Sequence, residues 1–175
     1  MHSFKNKNQK IALIGCGYWG TIIAKTLTDL GFKNIHIFDS DINNAKTLKK
    51  KFLKLKICRT YSEILNDHEI KNIFFATPPS INFKIVKKAL NLKKNIFLEK
   101  PGVTKNTELK QLNLLSIKNK CKLMFGYIYC YNDYIKYIKK ILDQKLLGNI
   151  LYINFQRQNL GPIRSDVSVA EDLSS

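Results

Sequence analysis

The stretch KIALIGCGYWGTIIAKTL, Lys10 to Leu27, decides how the chain is read. IALIG (11–15) is a short apolar run of the kind that forms a buried strand. Residues 19–30 carry helical spacing and end at Gly31. Between them lies Gly15-Cys-Gly-Tyr-Trp-Gly20, which fits G-x-G-x-x-G. A bare Gly-rich bend is the alternative, and a lone match says little. Here the motif follows a strand, opens a helix, and has Asp39 at the end of the next strand, 19 residues past Gly20. That is the setting of a dinucleotide-binding turn. Gly15 then allows the tight turn, Gly17 lets the backbone approach a pyrophosphate, and Gly20 lets helix and strand close on each other. The pyrophosphate would sit on the helix N-terminus. Tyr18 and Trp19, on the first helical turn, are candidates to cover the cofactor, with packing under a neighbouring loop as the alternative.

Asp39 is expected to accept hydrogen bonds from the adenosine ribose. Its charge disfavours a 2′-phosphate, so NAD is expected over NADP. Ser40 beside it, and the many lysines, soften that preference. A turn or helix-capping role for Asp39 is the competing reading, but Asp41 already serves as a cap.

Outward from this unit the pattern repeats. Strands are expected at 34–39, 55–58, 72–77, 95–99 and 122–129. Helices are expected from Asp41 to about Phe52, near Ser62 with Glu63 in the first turn, from Ser80 to about Leu92, and from a Thr104 or Thr107 cap to about Asn119. Several strands are continuous apolar runs, the signature of strands covered on both faces. Strand–helix alternation of this kind predicts a doubly wound parallel α/β sheet of the Rossmann type.

After Tyr129 the pattern changes. Residues 132–146 read as an amphipathic helix through Tyr134, Ile135, Ile138, Ile141 and Leu142. NILYINFQRQ (149–158) alternates with period two and reads as a strand of an antiparallel or mixed sheet. The expected division is a flexible N-terminus at 1–9, a dinucleotide-binding domain at 10–126, and the truncated start of an α+β substrate domain at 127–175.

Composition narrows the classes. The net charge is +17, yet the 30 basic residues include three Arg (Arg59, Arg157, Arg164), leaving 27 Lys spread along the chain. Nucleic-acid binders concentrate charge and use Arg for bidentate contacts, so nucleic acid is not the expected partner. A positive surface instead helps attract a phosphate-bearing substrate. No apolar run approaches the roughly 20 residues that span a bilayer, and no secretory pattern opens the chain. A cytoplasmic protein is expected. The four Cys form no CxxC pair and have no His cluster beside them, so they read as structural thiols and no metal site is expected.

Two further motifs fall at strand ends. ATPPS (76–80) follows the fourth strand and FLEKP (97–101) forms the end of the fifth. In an open parallel sheet both positions face the ligand crevice. Together with the glycine turn they resemble the Gfo/Idh/MocA family, the glucose–fructose oxidoreductase and inositol dehydrogenase group. The GYWG form of the turn, YNDYIKYIKKILDQKLLGNILYI and RQNLGPIRSDVSVAEDL sharpen the likeness, toward a branch acting on sugars or nucleotide sugars. The resemblance runs from Lys10 through nearly the whole chain, but covers only the first half of a usual member.

The resemblance implies roles. Lys100 would stand beside the nicotinamide and contact the reacting hydroxyl, as base or donor. Thr77 and Pro78 would line the nicotinamide side, and Glu99 would position the ring or Lys100. Tyr127, a candidate for substrate contact, stands where members often carry a His, and Asn82 stands where they often carry one in the ATPPS-x-H position. Glu171 replaces an aromatic residue. Asp172 would open the second catalytic motif, whose His falls one residue beyond Ser175. Of the chain's own histidines, His2, His36 and His68, none is a credible replacement. Arg164 and Asp166 are candidates for substrate contact, Arg164 as a fork for phosphate or carboxylate, with an edge salt bridge as the equal alternative.

The function expected from the sequence is hydride transfer between NAD and a sugar or nucleotide sugar. The partner is thus a small molecule, and the full-length form is open to homo-oligomerisation. The alternative is a catalytically silent dinucleotide-binding or interaction module.

Overall fold

The computed structural model describes residues 6–154 and 156. Its first unit is the predicted one. Strand β1 (Lys10–Ile14) leads through the glycine turn into helix α1 (Tyr18–Asp29), and β2 (Asn34–Phe38) follows. The strand is apolar throughout because it is covered on both sides. Ile11 and Leu13 belong to a buried cluster with Ala24, Leu27, Ala45 and Leu48, from α1 and α2 (Ile42–Lys51). Ala12 and Ile14 face the other way, into a cluster with Phe75, Val86, Leu90 and Leu112.

The remaining elements are β3 (Lys56–Ile57), α3 (Tyr61–Asn66), β4 (Asn72–Phe75), α4 (Pro79–Asn91), β5 (Asn95–Leu98), α5 (Asn106–Lys118), β6 (Leu123–Phe125) and α6 (Asp133–Asp143). All strand pairs are parallel, in the order β3-β2-β1-β4-β5-β6. After β3 the chain crosses back to place β4 on the other side of β1, so the strand order reverses between β1 and β4. The carboxyl ends of those two strands open the crevice that doubly wound sheets use for ligands.

Local chemistry explains the boundaries. Asp41 caps α2, its side chain accepting from the Asn43 amide at 2.9 Å. Thr60 caps α3 by accepting from the Glu63 amide at 3.2 Å, while Glu63 accepts from the Arg59 amide at 3.0 Å. Neither Thr104 nor Thr107 caps α5. Lys105 occupies that position without a side-chain hydrogen bond. Helix α4 begins at Pro79, one residue before the expected Ser80, because Pro is already set for the first helical turn.

Three strand expectations need correction. The sixth strand ends at Phe125, not 129, and residues Ile128–Tyr131 form a 3-10 turn. The ladder closes with the Gly126 amide donating to Leu98 O at 2.9 Å. Residues 149–154 do not form the expected strand at 149–158. Alternating side chains make a strand only when another backbone accepts its hydrogen bonds, and none of the described strands pairs with them. The third strand is two residues long rather than four.

Lys94 is the one buried lysine among the described residues, 3% exposed. Its ammonium donates to Asp67 O at 2.7 Å and Ile70 O at 2.8 Å, tying the turn before β4 to the start of β5. Burial holds its pKa below the usual lysine value. Lys94→Met keeps the stem but leaves two carbonyls without a donor. It should cost about 2–3 kcal/mol, read by urea denaturation. An unchanged midpoint would show that water replaces the ammonium there.

No helix among the described residues is long and apolar enough to cross a membrane.

Candidate dinucleotide site

The parallel ladder staggers its last bonds along one edge. Gly15 N donates to Phe38 O, Ala76 N to Ile14 O, and Glu99 N to Phe75 O, all at 2.8–2.9 Å. These bonds bring the glycine turn, the Thr77-Pro78 loop and the Glu99-Lys100 turn to a common crevice of about 720 Å³. Of the residues singled out from sequence, Gly15, Gly17, Tyr18, Trp19, Asp39, Ser40, Thr77, Pro78, Glu99 and Lys100 all line it.

The three glycines differ in what constrains them. Gly15 has φ +91°, and a Cβ there would lie 2.4 Å from Ala76 O. A Cβ on Gly20 would meet Gly15 O at 2.0 Å, so this glycine sits behind the crevice and sets how closely α1 lies on β1. A Cβ on Gly17 would meet nothing within 4 Å. Protein packing does not ask for glycine at 17, whereas a ligand approaching the backbone does. Gly17 is also the N-cap of α1, with no side chain to cap it and no acidic residue in the first turn. The positive end of the helix is thus without a side-chain partner of the kind that caps helices, an arrangement that suits an anion.

Asp39 links the two halves of this wall. Its Oδ2 accepts from the Cys16 amide at 2.7 Å, and Oδ1 accepts from the Asp41 amide at 2.9 Å. The sequence reading missed this tether: Asp39 shapes the glycine turn as well as facing the crevice. Tyr18 is 77% exposed and meets Trp19 edge to face at 5.5 Å. Tyr18 therefore stands at the rim rather than under a loop.

On the other side of the crevice, burial pushes the Glu99 carboxyl above its ordinary pKa, opposed by the Lys100 amide and charge. The Lys100 amide donates to Glu99 Oε2 at 3.3 Å. The peptide bond from Lys100 to Pro101 is cis. Tyr127 does not line the crevice. Its hydroxyl donates to Pro101 O at 3.1 Å, and its ring stacks on Phe125. Tyr127 holds the outer side of the turn that carries Lys100.

Lining residues not anticipated from sequence include Tyr61, Ile81 and Ile85. Tyr61 donates to Ile85 O at 2.7 Å and packs against Phe38 and Phe75, and burial raises its phenol pKa. Ile81 and Ile85 are four apart on α4, a spacing that could have flagged a shared face. Asn44 also reaches the crevice, near Asp39.

His36 lies away from the crevice, its Nε2 3.1 Å from Asn34 Oδ1 and its Nδ1 3.7 Å from Cys58 Sγ. All four cysteines are free. Burial and the Asp39 charge push the Cys16 thiol up to about 12, an inert thiol at neutral pH. Arg164, Asp166, Glu171 and Asp172 lie outside the described residues.

Residues 9–127 match the model of an oxidoreductase family with an NAD-binding Rossmann fold, GFO_IDH_MocA. The chain belongs to this oxidoreductase family. Among its curated relatives is an uncharacterized oxidoreductase of Streptococcus pneumoniae, 25% identical over 149 residues, covering 85% of this chain and 40% of that protein. Another is an inositol 2-dehydrogenase/D-chiro-inositol 3-dehydrogenase of Lacticaseibacillus casei, 27% identical, covering 86% and 44%. Among solved structures, GenD2 from gentamicin A biosynthesis, in complex with NAD, superimposes with a TM-score of 0.73 at 22% identity, covering 85% of this chain and 42% of that one. The chain spans about 40% of the length of the first of these relatives.

Proposed function

We propose that the crevice binds NAD in preference to NADP, and that the protein moves a hydride between nicotinamide and a hydroxyl-bearing carbon of a sugar or nucleotide sugar. The observation that carries this reading is the convergence on one crevice of an open Gly17, the Asp39 carboxylate and the Lys100 turn. The residues fit the group: the uncapped helix end suits a pyrophosphate, Asp39 a ribose diol, and the opposite wall a nicotinamide.

A bound nicotinamide would supply the hydride acceptor. In this reading the Lys100 amine takes the proton from the substrate hydroxyl as the C–H bond breaks. Glu99 fixes the Lys100 backbone, and Thr77 and Pro78 line the nicotinamide side. Tyr127 holds the turn in place. Asp172, Arg164 and Asp166 would approach from the segment after 126, which opens a substrate domain. Support for that domain comes from α6, whose Ile135, Tyr137 and Ile138 are exposed.

The cofactor half is tested by following NADH and NADPH binding through their fluorescence. The wild-type chain should bind NADH about tenfold or more tightly than NADPH. Asp39→Asn keeps an acceptor for the Cys16 amide but removes the charge, so NADPH should gain and the ratio should shrink severalfold. Tighter NADPH binding by the wild type would overturn the NAD assignment, and binding of neither would overturn the site.

A further inference from the structure

Asn82 is a fully buried polar side chain on α4 that neither lines the crevice nor packs as part of the apolar core. Its Nδ2 donates to Gly102 O at 2.6 Å and to Thr77 O at 3.4 Å, and its Oδ1 accepts from the Thr77 hydroxyl at 2.5 Å. A carboxamide has two donor protons and one acceptor oxygen. With two carbonyls facing the nitrogen, reversing the amide would set oxygen against oxygen at Gly102. The orientation is thereby determined, and the single hydroxyl proton of Thr77 must point at Asn82. Thr77 lines the crevice, and with its proton committed to Asn82 its Oγ1 has only lone pairs left for any further partner.

The geometry points to Asn82 as a positioning residue that makes Thr77 an obligatory acceptor and couples it to the Lys100–Gly102 turn, so that this wall selects a ligand group bearing an N–H donor. Resting on the cofactor reading above, that group is the carboxamide of nicotinamide. The same buried amide holds the turn from inside, at Gly102 O, while the Tyr127 hydroxyl holds it from outside, at Pro101 O. One side chain thus sets both the polarity of the nicotinamide wall and the place of Lys100.

The test compares three ligands on the full chain: NADH, reduced 3-acetylpyridine adenine dinucleotide, and ADP-ribose. The acetylpyridine analogue keeps the carbonyl and replaces only the NH₂ by a methyl group. ADP-ribose lacks the ring altogether. The wild type should bind NADH about tenfold more tightly than the analogue, one buried hydrogen bond. Asn82→Leu frees the Thr77 hydroxyl to donate to either carbonyl, so the preference should fall to about threefold or less, with ADP-ribose affinity unchanged. Asn82→His offers one ring nitrogen to the Thr77 proton and one N–H to Gly102 O, and should restore the preference. A preference that survives in Asn82→Leu overturns the inference. So does an equal loss of ADP-ribose binding, which would mark Asn82 as a general support of the fold. A wild type that binds ADP-ribose but does not distinguish the two dinucleotides overturns the inference and leaves the cofactor reading standing. A wild type that does not bind ADP-ribose overturns both.

Discussion

Gly20→Ala should destabilise the chain by about 3 kcal/mol or more, while Gly17→Ala should leave its stability nearly unchanged. A Cβ at 20 would stand 2.0 Å from a backbone oxygen and 2.9 Å from its carbon. Neither atom belongs to a flexible side chain, so α1 itself must move off β1. For a chain of this size the loss corresponds to a drop in Tm of roughly 6–12 °C. At 17 the φ is −73°, which any residue adopts, and the Cβ would point into open space. The entropy gained on removing a glycine and the poorer cap offered by alanine offset each other to within about 1 kcal/mol. The ligand reads the opposite order: Gly17→Ala should weaken NADH binding by about tenfold or more, since the methyl group stands where the pyrophosphate approaches. Differential scanning fluorimetry with and without NADH measures both. A Gly17→Ala protein that binds NADH like the wild type would remove the strongest reason to place a dinucleotide on this turn.

Lys100→Met should lower kcat for sugar or nucleotide-sugar oxidation by about 10²–10⁴ in any wild-type preparation that turns over. NADH affinity should stay within about threefold, because the proposed reading assigns the binding to the glycine turn and Asp39. The informative companion is Lys100→Arg. Arginine keeps the positive charge but does not give up its proton at working pH. If residue 100 only steadies a developing negative charge, Arg should recover most of the rate. If it accepts the hydroxyl proton, Arg should be about as poor as Met. Activity in Lys100→Arg within tenfold of the wild type would refute proton transfer at this position.

The two expectations draw on different layers. The Gly20 effect follows from the apposition of α1, β1 and β4, and its cause was readable in the spacing G-x-G-x-x-G. The Lys100 effect depends on a turn that β5 delivers, and the sequence alone left Glu-Lys-Pro open to a reading as a solvated loop.

Most of the first 126 residues could be read directly, because local patterns there carry the global answer. Apolar runs of four or five residues, separated by helical spacing and Gly, Asp or Pro stops, leave few arrangements other than a parallel sheet with two covered faces. The strand expected at 149–158 is not formed over its described residues 149–154, for the complementary reason. Period-two alternation states which faces a segment would have, but says nothing about whether a partner lies beside it. The Thr104 and Thr107 caps failed in a smaller way, since a residue with capping chemistry caps only if the chain enters the helix at that residue.

By itself, then, the sequence determined the fold class, the glycine turn, Asp39 and the placing of Thr77 and Lys100 at strand ends. All of these follow from spacing along the chain. Tertiary structure alone decided what those residues do to one another. It tied Asp39 to the Cys16 amide across 23 residues, sent Tyr127 behind the Lys100 turn, and placed Asn82 so that it sets the hydrogen-bonding sense of Thr77. The physical reason is that a hydrogen bond is satisfied by whichever partner comes within about 3 Å, and only the packed sheet determines which atoms those are.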